Sequence, residues 1–285
     1  MRRLDISQLN KETALKLLLN LMTIFSVFSI FFIILFLIKE SLPFLKEKGL
    51  EMLFVDTWRP IAGKYGIIPL LLSSLLVSLL AILISGSIGI ISATYLVEYA
   101  NKKIAAIIRA ITELLAGIPS VVYGFFGLMV IVKLVQITFD LASGETILAG
   151  AITLAIMTLP IIVSVACDAI SSVPKEYREA SLALGATKLQ TIFRVVLPCS
   201  FRGILTGIIL AFGRAIGETM AVVMVVGNVA QIPSILKPGE PITSAILLEM
   251  GEAAIGSMHY HALFTLGLIL LLISLALCLL LNKIK

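Results

Sequence analysis

Long stretches without a charged residue dominate this sequence and limit the folds that it can adopt. Each is long enough to cross the hydrocarbon core of a bilayer, about 30 Å, as a helix that rises about 1.5 Å per residue. The uninterrupted stretches are Leu17–Ile38, Ile67–Val97, Leu114–Val132, Thr146–Cys167 and Ala262–Leu281. A further stretch, Gly203–Ile235, is interrupted by Arg214 and Glu218. Because these runs are continuous and lack the alternation of a membrane β-barrel, we predict an all-α membrane protein with six transmembrane helices.

The composition agrees with a lipid solvent. Of the 285 residues, 59% are hydrophobic and 14% are charged, which leaves too little polar surface for a soluble domain of this size. The first run lacks a small-x-small cleavage site before Lys39, so we interpret it as a retained anchor and not as a secretory signal.

The distribution of basic residues predicts the orientation. Six spans put both termini on one side, and most lysines and arginines fall on that side. They are Arg2, Arg3, Lys11, Lys16, Lys102, Lys103, Arg109, Lys175, Arg178, Lys188, Arg194, Lys283 and Lys285. The positive-inside rule then predicts cytoplasmic termini in a multi-pass protein of a bacterial or archaeal cell membrane. The net charge of +5 follows from this topology and requires no nucleic-acid partner.

Two charges lie within the interrupted run. An Arg at the centre of a spanning helix costs about 2.5–3.5 kcal/mol on the translocon scale, so Arg214 must face protein or water. The spacing of Gly203, Gly207, Ala211, Arg214 and Glu218 predicts one stripe of a single helix. The small residues would admit a neighbouring helix or a pathway, and Arg214 with Glu218 would form either an oxyanion site or a purely structural ion pair.

A cytoplasmic segment between the fourth and fifth spans, about 171–198, predicts a helical hairpin. Pro174 fits the first turn of a short helix that starts at about Val173, and Gly185 fits a left-handed helix end. Thr187 and Gln190 have the spacing of a capping box that opens a second helix. Such a hairpin presents an Ala-rich tip to a partner groove.

Other residue types offer weaker signals. The three cysteines have no metal-ligand spacing, and His259 with His261 fits either a metal pair without a third ligand or two interfacial residues. Trp58 fits an interfacial anchor. We therefore predict no metal and no cofactor. The chain contains no Gly-x4-Gly-Lys-Ser/Thr loop, so ATP would have to be hydrolysed by another subunit.

The hairpin resembles the signature loop of ABC importer permeases, which has the pattern Glu-Ala-Ala, three residues, Gly, nine residues, Ile-x-Leu-Pro. The positions are filled by Glu179, Ala180, Ser181, Gly185, Val195, Leu197 and Pro198, with Ser181 and Val195 as conservative departures. In that family the loop docks in a cleft of the ATPase subunit. The resemblance implies this coupling role for Glu179, Ala180, Ser181 and Gly185.

Within that family the chain is similar to the phosphate permeases of the PstC type. The resemblance is carried by Glu113-Leu-Leu-Ala-Gly-Ile-Pro-Ser-Val-Val-Tyr-Gly-Phe-Phe-Gly127, by Gly213-Arg-Ala-Ile-Gly-Glu-Thr-Met-Ala-Val-Val-Met-Val-Val-Gly-Asn228 and by Trp58-Arg59-Pro60. It implies an importer-type (MetI-like) core at residues 67–285, preceded by an anchor helix and outer loop at 1–66, in one transmembrane permease domain. The alternatives are the sister PstA-type subunit, a permease for sulfate or molybdate, and a membrane scaffold without transport.

The same resemblance implies the partners and the substrate pathway. The expected partners are a PstA-type second permease, a dimer of a cytoplasmic ATPase and an extracytoplasmic phosphate-binding protein. Phosphate would pass between the two permeases, with Arg214 and Glu218 as the pathway residues of this chain. The chain itself would not be an enzyme.

Overall fold

The computed structural model of the protein describes residues 6–53 and 55–284, and most of these residues are helical. Arg2, Arg3 and Lys285, which the charge pattern assigns to the side of the termini, lie outside the described residues. The helices are α1 (Ile6–Glu47), α2 (Ile68–Glu98), α3 (Lys102–Ala116), α4 (Ser120–Phe126), α5 (Lys133–Thr138), α6 (Ile147–Ser171), α7 (Lys175–Ala183), α8 (Lys188–Thr191), α9 (Leu197–Ile216), α10 (Met220–Val223), α11 (Ile242–Glu249) and α12 (Met258–Ile284). Two short strands, β1 (Trp58–Arg59) and β2 (Lys64–Tyr65), pair in antiparallel fashion between α1 and α2.

Six helical segments in the described part of the chain are long and apolar enough to cross a membrane, as predicted. They are Leu15–Glu47, Ile68–Glu98, Ser120–Thr138, Ile147–Ser171, Lys188–Ile216 and Met258–Lys283. Two of them contain a π-helical segment, Gly127–Val132 between α4 and α5 and Ile192–Val196 between α8 and α9. We call the side on which α2, α6 and α12 end the terminal side, and the opposite side the far side.

The third span differs from the prediction. The sequence pattern places it at Leu114–Val132, whereas the structure assigns Leu114 to α3 and starts the span at Ser120. The chain breaks at Pro119, which has no backbone N–H and an extended ψ of 141°. A proline ring also disfavours the helical conformation at the residue before it, which is Ile118 here. As a result, α3 is a separate helix that packs beside α6.

The fifth span also ends earlier than the apolar run. Helix α9 stops at Ile216 and is followed by Gly217. The rest of the run, which the sequence pattern extends to Ile235, contains the short helix α10 and then irregular backbone. Val225 and Val226 in this irregular part are fully buried. The apolar character of this stretch therefore reflects burial inside the protein and not a spanning helix.

Helices α2, α6 and α9 form the centre of the molecule because small residues allow their backbones to approach. A Cβ added to Gly89 of α2 would lie 2.8 Å from Ile162 Cγ2 of α6. The hydroxyl of Thr158 lies 3.0 Å from that of Ser85 and links the same two helices in the buried interior. Small and hydroxyl residues are typical of helix interfaces in membranes, where close packing replaces the hydrophobic effect.

Helix α1 lies at the edge of the bundle. Phe36 of α1 packs edge-to-face on Phe264 of α12, with ring centroids 5.5 Å apart. Most apolar side chains between Leu15 and Phe36 are exposed within the single chain. They require lipid or another subunit as their surroundings.

Candidate functional site

The small residues of α9 hold it against α6 and set the register between the two helices. A Cβ on Gly203 would lie 2.5 Å from Ala169 Cβ, and one on Gly207 would lie 3.0 Å from Val165 Cβ. Of the two roles left open by the sequence, the glycines therefore admit a neighbouring helix.

This register places Arg214 beside the middle of α6, which is a spanning helix. The two helices run antiparallel, so each step of four residues forward along α9 matches a step of about four residues backward along α6. Ala211 continues this series, because it packs in one cluster with Ile162. Extrapolation puts Arg214 beside about residue 158 of α6, which runs from Ile147 to Ser171. Its side chain is exposed within the single chain. At this depth an exposed guanidinium must face water or a partner subunit and not lipid.

Glu218 does not continue the stripe, so the prediction of a single helical face from Gly203 to Glu218 is wrong at its last residue. Helix α9 has ended two residues earlier, and Glu218 Oε1 accepts a hydrogen bond of 3.3 Å from the backbone N–H of Ala221 in α10. The backbone oxygen of Glu218 accepts a hydrogen bond of 3.0 Å from the hydroxyl of Thr243. Among the ion pairs of the described residues, none joins Glu218 to Arg214. The two charges are neighbours in the chain but are not partners.

The two apolar motifs singled out in the sequence pack on each other around this point. A Cβ on Gly124 of α4 would lie 2.9 Å from Ala221 Cα of α10, so only glycine permits the contact. Tyr123 is buried beside Gly124, and its hydroxyl donates a hydrogen bond of 2.8 Å to the carbonyl oxygen of Leu115 near the end of α3. Helix α4, which follows the break at Pro119, is thereby held against α10, which follows the end of α9. The result is a region of broken helices at mid-membrane depth, where irregular backbone is tolerated inside protein.

The hairpin of α7 and α8 on the terminal side has the predicted local structure. Gly185 adopts a φ of +85°, and Thr187 with Gln190 forms both hydrogen bonds of the capping box. Leu184 is 90% exposed at the tip, and Glu179, Ala180 and Gly185 are exposed too. Ser181 differs, because its hydroxyl lies 2.9 Å from Thr191 Oγ1 and ties α7 to α8. Three of the four predicted coupling residues are therefore available to a partner, and Ser181 stabilises the hairpin from within.

A clamp that the sequence analysis missed fixes this hairpin to the end of α2. Arg178 Nη2 lies 3.0 Å from Glu98 Oε1, and both side chains are largely buried. Lys188 donates to the backbone oxygen of Glu98 and lies 4.2 Å from the centre of the Tyr99 ring. The signal available in the sequence was an acidic residue directly after an apolar run. That signal does not indicate that the partner of Glu98 is Arg178, which lies 80 residues further along the chain.

The histidines and Trp58 meet on the far side. Trp58 Nε1 donates 2.8 Å to Glu249 Oε1, and His259 Nε2 lies 2.6 Å from Glu249 Oε2. His261 bonds elsewhere, through Nδ1 to the backbone oxygen of Glu40 at 2.8 Å. Within residues 6–53 and 55–284 no group of three metal-ligating side chains occurs. Trp58 is 4% exposed, so it is a core residue and the prediction of an interfacial anchor is wrong.

Burial around this cluster shifts two pKa values. Glu240 is 6% exposed, and this burial, followed by the charge of Glu249, raises its pKa to about 7. Burial, followed by the charge of Glu249 and then of Glu47, also raises the pKa of Tyr65. Glu240 therefore retains its proton at a pH where an exposed Glu is ionised.

Comparison with known proteins identifies the family. The model of the family described as "Binding-protein-dependent transport system inner membrane component" matches residues 85–284. The chain is 39% identical over 245 residues to the "Probable ABC transporter permease protein YqgH" of Bacillus subtilis (strain 168), which covers 81% of this chain and 79% of the relative. It is 35% identical over 246 residues to the "Phosphate transport system permease protein PstC" of Mesorhizobium japonicum, with coverage of 79% and 75%.

A solved structure has the same fold. The chain matches a chain in the crystal structure of a bacterial alginate ABC transporter in complex with an alginate pentasaccharide-bound periplasmic protein. The TM-score is 0.65 at 16% identity, and the match covers 96% of this chain and 95% of that chain. The predicted importer-type permease fold is confirmed. The chain belongs to the family of binding-protein-dependent transport system inner membrane components.

Proposed function

We propose that this chain is the membrane-spanning permease subunit of an ATP-driven phosphate importer. The observation that carries the proposal is Arg214, a guanidinium at mid-membrane depth that no carboxylate of the described chain neutralises. The similarity to a protein named as a phosphate transport system permease supports phosphate as the substrate. Because the side chain is exposed in the single chain, the pathway lies between this subunit and a second permease of the PstA type.

The chemistry of Arg214 fits an oxyanion in transit. Its planar guanidinium donates two parallel hydrogen bonds to an oxyanion, which a lysine cannot do. Glu218 lies two residues after the end of α9, and its Oε1 accepts a hydrogen bond from the backbone N–H of Ala221. Phosphate near pH 7 keeps at least one proton, so it can accept from Arg214 and donate to the second oxygen of Glu218. Sulfate has no proton to donate, and this difference favours phosphate.

The terminal side is the cytoplasmic side in this proposal, with both chain termini there. The excess of lysine and arginine on that side supports the orientation. The exposed surface of Glu179, Ala180, Leu184 and Gly185 would then dock on a dimer of a cytoplasmic ATPase. The clamp on Glu98 links this hairpin directly to α2 and so transmits movement into the membrane. An extracytoplasmic phosphate-binding protein delivers the substrate on the far side.

Reconstituted vesicles test the proposal. The chain, its partner permease, the ATPase and the binding protein should together accumulate phosphate only when ATP is present. Arg214→Gln should abolish most uptake per assembled complex, and Arg214→Lys should recover little of it, since a point charge replaces the bidentate fork. Arg202→Gln provides the control, because Arg202 is exposed near the other end of α9. Normal uptake per complex by Arg214→Gln would refute the pathway role, and no ATP-dependent phosphate uptake by the wild type would refute the function.

A further inference from the structure

A polar cavity lies between α3 and α6, away from Arg214. Its volume is about 190 Å³. It is lined by Arg109, Thr112 and Glu113 of α3 and by Ser164, Cys167 and Asp168 of α6. Ser164 precedes the end of α6 by seven residues, which corresponds to about 10 Å of helix, so the cavity lies within the terminal-side part of the span.

The charged side chains of this cavity lie near the terminal-side end of α6. Arg109, Glu113 and Asp168 are all exposed within the single chain. Asp168 lies three residues before the end of α6, and Arg109 and Glu113 belong to α3, which is not part of the six spanning segments. The ion pairs of the described residues do not include Arg109, so its guanidinium fork is free to bind an anion. The cavity is therefore within reach of water on the terminal side of the bundle.

The mixture of groups selects one class of anion. Arg109 and the Ser164 hydroxyl can donate hydrogen bonds, whereas Glu113 and Asp168 can only accept them when ionised. Dihydrogen phosphate can satisfy both sets, because it accepts from the arginine and its two O–H groups can donate to the two carboxylates. A fully ionised anion such as sulfate would face two carboxylates with no proton to share. The phosphodiester of a lipid headgroup also lacks that proton.

We propose that this cavity is a second site for inorganic phosphate, on the terminal side of Arg214. The inference rests on the proposed phosphate import and adds a step to it. The register of α9 on α6 places Arg214 beside about residue 158, whereas the cavity is centred near residue 166. The two arginines are therefore separated by about 12 Å along the membrane normal. Transport requires sites weak enough to release the ion, and the two carboxylates keep this one weak.

Cysteine protection tests the site without relying on transport. In a chain whose Cys167, Cys199 and Cys278 are replaced by alanine, Ser164→Cys puts a thiol in the cavity. A water-soluble methanethiosulfonate should modify it in the reconstituted complex. Inorganic phosphate at about ten times its dissociation constant should slow the reaction about tenfold, because occupied cavities are closed to the reagent. Sulfate at the same concentration should leave the rate unchanged.

Two further variants serve as control and substitute. Ser172→Cys lies one residue beyond α6 on the terminal side and outside the cavity, so phosphate should not protect it. Thr112→Cys places the thiol on the α3 wall and replaces Ser164→Cys if that variant does not assemble. Adding Arg109→Gln to either cavity variant should remove the protection by phosphate.

The outcomes separate this site from the import function. If phosphate does not protect the cavity cysteine while ATP-dependent uptake is normal, the second site is refuted and the import function stands. Protection without uptake would retain the site and refute the importer. Protection by sulfate equal to that by phosphate would refute the role of the carboxylates. Protection by anionic phospholipid in vesicles that contain no phosphate would show a lipid site and overturn the proposal.

Discussion

Gly185 sits at the bend between α7 and α8 with a φ of +85°. No atom lies within 4 Å of the position that a Cβ would take there, so a larger side chain would meet open space. The cost of a substitution is therefore conformational. A residue with a Cβ loses roughly 1–2 kcal/mol in the left-handed conformation, and a β-branched residue is a genuine outlier there.

This strain acts directly on docking if the bent hairpin is the form that binds the ATPase. A cost of 1–2 kcal/mol corresponds to about a fivefold to thirtyfold change in an equilibrium. Gly185→Val should weaken ATPase binding by about that factor and should leave insertion of the chain in the membrane unchanged. Gly185→Asn should bind almost as tightly as the wild type, because asparagine adopts the left-handed conformation at little cost.

The assay is a titration of the purified ATPase against the permease pair in nanodiscs. Gly251→Val is the matched control, since it also adds a side chain where no atom lies within 4 Å, but at a position without positive φ. Wild-type affinity in Gly185→Val would refute the argument. Equal weakening by Val and Asn would attribute the effect to the side chain itself and not to the bend.

Two stability predictions follow from the packing and the buried carboxyl. Gly203→Ala should destabilise the detergent-solubilised protein by about 1–3 kcal/mol because its Cβ would lie 2.5 Å from Ala169 Cβ. Gly86→Ala, with no atom within 4 Å, should instead raise the melting temperature, as expected for a helical Gly→Ala change. Burial raises the pKa of Glu240 from 4.5 to about 7, so the folded protein binds this proton more tightly than the unfolded chain. The free energy of unfolding therefore falls by up to about 3 kcal/mol as the pH rises from 4.5 to 7. Glu240→Gln should raise the melting temperature more at pH 8 than at pH 5, and an equal shift at both would contradict the assignment.

The sequence by itself determined the membrane class, the number of spans and the local structure of the hairpin. Each depends on interactions between residues close in the chain. An apolar run of sufficient length must cross the bilayer as a helix, since no water is present to satisfy its backbone. The capping box needs only Thr187 and Gln190, three positions apart, and both of its hydrogen bonds are present.

The ends of the third and fifth spans were less predictable. Pro119 was visible in the sequence, but the surrounding apolar residues fit a spanning helix as well as a broken one. The run after Gly217 is as apolar as a span because it is buried among α2, α4 and α6, and hydropathy does not distinguish burial in protein from exposure to lipid.

Only the tertiary structure decided which charged groups meet. Arg214 and Glu218 have the spacing of an ion pair on one helix, yet the helix ends between them and Glu218 binds Ala221 instead. Arg178 forms an ion pair with Glu98, which lies 80 residues away in the sequence. Arg109 and Asp168 line the same cavity between two helices although they lie 59 residues apart in the sequence. Such contacts depend on helix register, which close packing of small residues such as Gly207 against α6 fixes and which the one-dimensional pattern does not contain.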